Sequence, residues 1–239
     1  MSTHPNFSLV HLINVFLHAQ EKPNKMSKEK EAVYTTKNTY STLNQQTEKT
    51  KNVWIIFHGM GYLSKYFIEY FSDLDADENY IIAPQAPSKY YQDRSFKHVG
   101  ASWLTRENTV LETQNVLNYV NAVFEKEMTR EIPNLFVMGY SQGVSIATRW
   151  VARQKIQCHK LILHSGGIPI ELKPEDFDFL KPETDVVYIY GNKDQYITES
   201  RKTEEHLRGT QLFKERLKIE VFDGIHEVNT DLLLKISKQ

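Results

Sequence analysis

Gly139-Tyr140-Ser141-Gln142-Gly143 constrains this chain more than any other stretch. The pentapeptide fits G-x-S-x-G, a sharp turn that joins a buried strand to a helix and lifts a nucleophilic serine above a sheet. Its flanks supply both elements. Asn134 to Met138 reads as a buried strand fenced by Pro133, and Gly143, Ala147, Trp150 and Val151 then recur at helical spacing. A serine at a strained backbone angle needs neighbours without a Cβ, so that strand and helix can cross closely. The plainer alternative is a serine in an ordinary Gly-rich turn of an α/β protein, and the partners found below weigh against it.

The same alternation runs through the chain from about residue 34, the pattern of a mostly parallel sheet with helices on both faces. Thr39 to Leu43 reads as an edge strand, Val53 to Phe57 as a central strand, and Tyr80 to Ala83 as the next, stopped by Pro84 and Pro87. Phe67, Tyr70, Phe71 and Leu74 mark a helical face between them. Ser88 to Ser102 is polar and aromatic without period and reads as a functional loop. Thr105 is the expected cap of a helix carrying Val110, Leu117, Val120 and Phe124. Lys160 to His164 and Val186 to Tyr190 are two more buried strands, joined by only a short connection over 165–185 that leaves no room for a large cap. A helix over Thr198 to Leu217, a strand over Lys218 to Phe222 and a closing helix with Leu232, Leu233 and Ile236 complete one domain, 34–239.

Composition removes several function classes. Lys plus Arg (29) balance Asp plus Glu (30) without long runs of one sign, which argues against nucleic acid or an anionic membrane as main partner. The single cysteine, Cys158, cannot form an internal disulfide and reads as a packing or surface thiol. No apolar stretch reaches the roughly 18 residues of a membrane span. Residues 1–33 read as an extension, disordered or outside the native start, with Met26 an alternative beginning. Phe7 to Ala19 is apolar but lacks a preceding Lys or Arg and a good cleavage site. A cytoplasmic location is therefore expected, with secretion left open, and a monomer or a homodimer equally compatible.

A nucleophilic serine needs a base to take its proton and a carboxylate to orient that base. In this kind of sheet the three follow in the order Ser, Asp or Glu, His, each at the carboxyl end of a strand. Asp194 lies in Gly191-Asn192-Lys193-Asp194, just past its strand, whereas Asp185 sits at the wrong end and Glu199 begins a helix. His226 follows the last strand, in Asp223-Gly224-Ile225-His226-Glu227. His164 also ends a strand but precedes every candidate acid, which leaves it a pocket-lining role; His206 sits on a helix. Glu227 beside His226 makes no zinc motif, and no metal or cofactor is called for. Acyl transfer also needs donors for the oxyanion. The backbone amides of Gln142 and of Met60, in the loop Phe57-His58-Gly59-Met60-Gly61, are the candidates, with His58 read as a brace for that loop.

Together H-G-M-G, A-P-Q-A-P, a Trp in the following loop, G-Y-S-Q-G, G-N-K-D and G-I-H resemble the phospholipase/carboxylesterase family of α/β hydrolases over about residues 50–238. The resemblance implies Ser141 as nucleophile, Asp194 as acid, His226 as base, and Met60 and Gln142 as oxyanion donors. It carries Trp103 to an aromatic near the acyl pocket, and Tyr62, Tyr90, Phe96 and His98 join it as candidate linings. The chain departs from the family in Gly143-Val144, where Gly-Gly is frequent, and in a charged, aromatic 90–99 loop that does not suit a long acyl chain. The expectation is a cofactor-independent hydrolase of small carboxylic esters or thioesters. A peptidase or lactone hydrolase of the same fold, and a non-catalytic binding protein, stay open.

Overall fold

The apolar runs assemble into a single twisted layer with its helices laid on either side. The structure, a computed structural model, describes residues 27–128, 130–131 and 134–238 and divides into two units, 1–36 and 37–239. In the first, residues 27–36 carry no helix or strand. Phe7 to Ala19, Met26 and Pro133 lie outside the described residues.

In the second unit seven strands form the main sheet: β1 (Tyr40–Leu43), β2 (Asn52–Phe57), β3 (Asn79–Pro84), β6 (Asn134–Tyr140), β7 (Lys160–His164), β8 (Asp185–Gly191) and β9 (Leu217–Phe222). Their spatial order is β1-β3-β2-β6-β7-β8-β9. Only β1 runs antiparallel, pairing Tyr40 with Pro84 at the edge beside β3. The chain begins its parallel part at β2, steps outward to β3, and returns to place β6 on the other side of β2. The crevice at the carboxyl ends of strands flanking such a reversal is where open α/β sheets bind ligands.

Side chains alternate across the strands and so build two cores. On one face Val53, Ile55 and Phe57 meet helices α2 (Thr109–Glu127), α3 (Gln142–Gln154) and α4 (Glu199–Phe213) through Val116, Val120, Trp150, Val151 and Phe213. On the other, Trp54 and Ile56 meet α1 (Ser64–Phe67) and α5 (Thr230–Ile236) through Phe67, Leu233 and Ile236. Trp54 stacks on Phe136 of the neighbouring strand with ring centres 4.3 Å apart.

The elements differ from expectation in four places. Ser88 to Ser102 is a hairpin, β4 (Ser88–Tyr91) and β5 (Val99–Ser102), with Tyr90 opposite Gly100. All of β4 is exposed and β5 is buried from Gly100 to Ser102, so neither strand shows the alternation that marks a half-buried strand. Thr105 does not cap α2. Its hydroxyl accepts from the Glu107 amide one turn earlier, and Asn108, in the left-handed region that Asn tolerates, precedes the helix. Val110 consequently faces water, and Thr113, Val116, Leu117, Val120 and Val123 form the buried face. In place of a helix through Phe67, Tyr70, Phe71 and Leu74, one helical turn, Ser64–Phe67, is followed by a 3-10 turn, Ile68–Phe71. Helix α4 stops at Phe213, because Lys214 takes a positive φ (53°) and Leu217 already pairs with Val186 in the sheet. Between β7 and β8 only a short 3-10 turn (Pro174–Phe177) interrupts the connection.

Candidate active site

The serine turn is enforced by contact. Strand β6 ends at Tyr140, Ser141 takes φ 52° and ψ −118°, and α3 starts at Gln142. A Cβ on Gly143 would lie 2.0 Å from the Phe57 carbonyl oxygen, and one on Gly139 would lie 2.4 Å from the Gly143 carbonyl oxygen. Both glycines are therefore required by the crossing of α3 over β2 and β6. The Ser141 amide donates to the carbonyl of His164 at 2.8 Å, which fixes the strained residue to β7. Gly166, which sequence reasoning missed, passes so close that a Cβ there would lie 2.1 Å from the Ser141 carbonyl oxygen.

Two loops bring the remaining groups to this turn. After β8, the Asp194 carboxylate is buried; its Oδ1 accepts from the Tyr196 amide at 2.8 Å and its Oδ2 from His226 Nδ1 at 2.7 Å. With its proton on Nδ1, His226 presents Nε2 as acceptor, 3.0 Å from the Ser141 hydroxyl. The two loops are laced together: the Asn192 amide donates to Phe222 O and the Lys193 amide to Gly224 O, both at 2.9 Å. Tyr140 reaches across with its hydroxyl and donates to the His226 carbonyl at 3.0 Å.

The loop after β2 closes the other side. A Cβ on Gly59 would lie 3.2 Å from that of Ser141, so the backbone passes directly over the serine. The Met60 amide makes no hydrogen bond with the described residues, and the Gln142 amide, first in α3, has no intrahelical acceptor. His58 braces this loop. Its Nε2 accepts from the Ala86 amide at 3.1 Å and its Nδ1 donates to the Gly59 carbonyl at 2.8 Å. Burial depresses its pKa to about 4, keeping it neutral.

A cleft of about 330 Å³ opens over the serine, lined by Gly59, Met60, Tyr62, Tyr140, Ser141, Lys193, Gln195, Tyr196, Ile225 and His226. Of the six residues expected to line it, Tyr62, Tyr90, Phe96, His98, Trp103 and His164, only Tyr62 does. Trp103 is fully buried and donates its indole N–H to the His58 carbonyl at 2.8 Å, so it supports the loop from behind. His98 sits on the exposed hairpin, 2.6 Å from Asp93. His164 is enclosed beneath Tyr140. Tyr196, whose ring meets His226 edge-on at 4.8 Å, and Ile225 were missed; Tyr196 stands two residues after Asp194 and Ile225 directly before His226, and that proximity was the available signal. Among the described residues no group of three or more His, Cys, Asp or Glu is arranged to hold a metal ion, and no helix is long and apolar enough to cross a membrane. Cys158 is buried, and that burial raises its thiol to about 12, as a packing residue requires.

Comparison with known proteins places this geometry. The chain resembles a phospholipase/carboxylesterase from Dyadobacter fermentans (22% identity, TM-score 0.63), covering 87% of this chain and 100% of that one. It also resembles acyl-protein thioesterase 2 of Zea mays (14% identity, TM-score 0.63; 84% and 97% covered) and esterase PE8 (20% identity, TM-score 0.62; 85% and 97% covered). At these identities the likeness is one of fold. A sequence search of curated proteins found no match. The phospholipase/carboxylesterase family model, in contrast, matches residues 38–238. This chain is a member of the phospholipase/carboxylesterase family, with the α/β-hydrolase fold.

Proposed function

We propose that the protein is a serine hydrolase that cleaves small carboxylic esters or thioesters through an acyl-enzyme on Ser141. The observation that carries this reading is the unbroken hydrogen-bond chain from Ser141 to His226 (3.0 Å) and from His226 to Asp194 (2.7 Å). In this mechanism Ser141 Oγ attacks the acyl carbon while His226 Nε2 takes its proton, and Asp194 stabilises the imidazolium that forms. The amides of Met60 and Gln142 receive the oxyanion. His226 then protonates the leaving alcohol or thiol, and water, activated by the same ring, releases the acid.

The cleft supports a short acyl group. Its volume, about 330 Å³, is at the lower end for small-molecule sites, and three tyrosines with Met60 and Ile225 make up half of its lining. The test is mass-spectrometric detection of a fluorophosphonate adduct on the wild type and on Ser141→Ala, followed by turnover of p-nitrophenyl esters graded by acyl length. An adduct on Ser141, absent from the variant, with rates falling as the acyl chain lengthens, is the expected outcome. A folded wild type that takes no adduct would give the lead to the binding-protein reading.

A further inference from the structure

His164 is a fully buried histidine that this mechanism does not use. It touches both halves of the site. Its carbonyl accepts the Ser141 amide at 2.8 Å, and its ring Nε2 accepts the Asn229 amide at 3.2 Å. Asn229 stands three residues beyond His226 and caps α5, its side chain accepting from the Leu232 amide at 2.9 Å. The ring is wedged edge-on between Tyr140 (5.4 Å), which donates to the His226 carbonyl, and Phe222 (5.8 Å), which ends β9 just before the His226 loop. Because Nε2 is an acceptor, the proton sits on Nδ1, which donates to the Ser165 hydroxyl at 3.2 Å.

We infer that His164 is a positioning residue whose ring acceptor anchors the loop 223–229 and so seats His226 against Ser141. This rests on the serine-hydrolase reading above. The groups around the ring are Tyr140 from β6, Ser165 after β7, Phe222 from β9, and the titratable Asp194 and His226. Burial above all depresses the His164 pKa to about 3; repulsion between the two imidazoles adds to this, and Asp194 offsets it only in part. An acceptor that never charges suits an anchor: a protonated Nε2 would point a hydrogen at the Asn229 amide and expel the loop.

The experiment pairs two variants with the wild type. His164→Phe keeps a ring but removes the acceptor, and His164→Gln restores an oxygen at nearly the same reach. The rate of fluorophosphonate capture by Ser141, kcat and KM for p-nitrophenyl acetate, and nitrogen NMR of the histidine rings are measured on each. The phenylalanine variant is expected to lose between about tenfold and a hundredfold in capture rate and kcat, with KM nearly unchanged, as for a small misplacement of a catalytic group. The glutamine variant is expected to recover most of the loss. In the wild type the His164 ring is expected to stay neutral, with its proton on Nδ1, between roughly pH 5 and 8. Wild-type capture rate in folded His164→Phe, a loss confined to KM, or no recovery in His164→Gln would overturn the inference. So would a wild-type His164 that titrates in that range, a measurement that needs no variant to fold. An unreactive wild-type Ser141 counts against the hydrolase reading, whereas His226 ring signals unmoved by His164→Phe count against this one.

Discussion

At the scale of single residues, the two glycines of the serine turn carry different obligations from the serine itself. In the proposed mechanism Ser141 does the chemistry; Gly143 is needed for the chain to fold around it. A methyl group on Gly143 would sit 2.0 Å from the Phe57 carbonyl oxygen, a backbone atom that cannot swing aside. Gly143→Ala is therefore expected to destabilise the protein by about 4 kcal/mol or more, the range reached when backbone must move, and chemical denaturation would show it. Ser141→Ala should instead leave the denaturation midpoint nearly unchanged while lowering esterase turnover by at least about a thousandfold.

At the scale of elements, the site is a meeting of loops, and side chains far apart in sequence tie them together. The Gln142 amide group shows how. Its Oε1 accepts from the Trp103 amide at 2.8 Å, and its Nε2 donates to the Leu104 carbonyl at 2.7 Å and the Ser102 hydroxyl at 3.0 Å. The first residue of α3 thereby holds the segment that follows β5, and Trp103 in turn supports the His58 carbonyl. Gln142→Ala leaves the Trp103 amide and the Leu104 carbonyl without these partners. A loss of about 1–3 kcal/mol in stability follows from the desolvation of such groups. Because the backbone amide of residue 142 remains, kcat should fall less than in Ser141→Ala; urea titration together with steady-state kinetics would separate the two effects.

For the whole molecule, buried neutral histidines set the response to acid. His58 and His164 hold pKa values of about 4 and about 3 in the folded protein, both through burial, against an ordinary 6.5. The unfolded chain therefore binds more protons than the native one between these values, and stability falls as pH drops from about 6.5 towards 4 and below. Above pH 6.5 both states hold the rings neutral and the effect vanishes. Each ring contributes a loss of about 3 kcal/mol at the acid end. Urea midpoints measured from pH 8 down to pH 4 should decline, and a folded His164→Phe should decline less steeply. A flat profile in the wild type would contradict the neutral, enclosed state of both rings.

The order of strands and helices, the elbow around Ser141, and the nomination of Asp194 and His226, which the fold brings into one hydrogen-bond chain with it, were legible in the sequence alone. Each is written in local pattern: apolar runs, glycine spacing, and position relative to a strand end. The hairpin over 88–102 was not, because one of its strands is wholly exposed and the other is buried at three successive residues, so neither alternates. Nor were the roles of Trp103 and His164. Both are aromatic rings near strand ends, and nothing local tells whether such a ring faces a cleft or the interior. That is settled by what packs on it: the His58 carbonyl meets the indole of Trp103, and the Asn229 amide, 65 residues away, meets the imidazole of His164. Contacts between residues so distant in sequence exist only once the sheet has gathered its loops at one edge, so tertiary structure alone decided which side chains line the cleft and which hold it in shape.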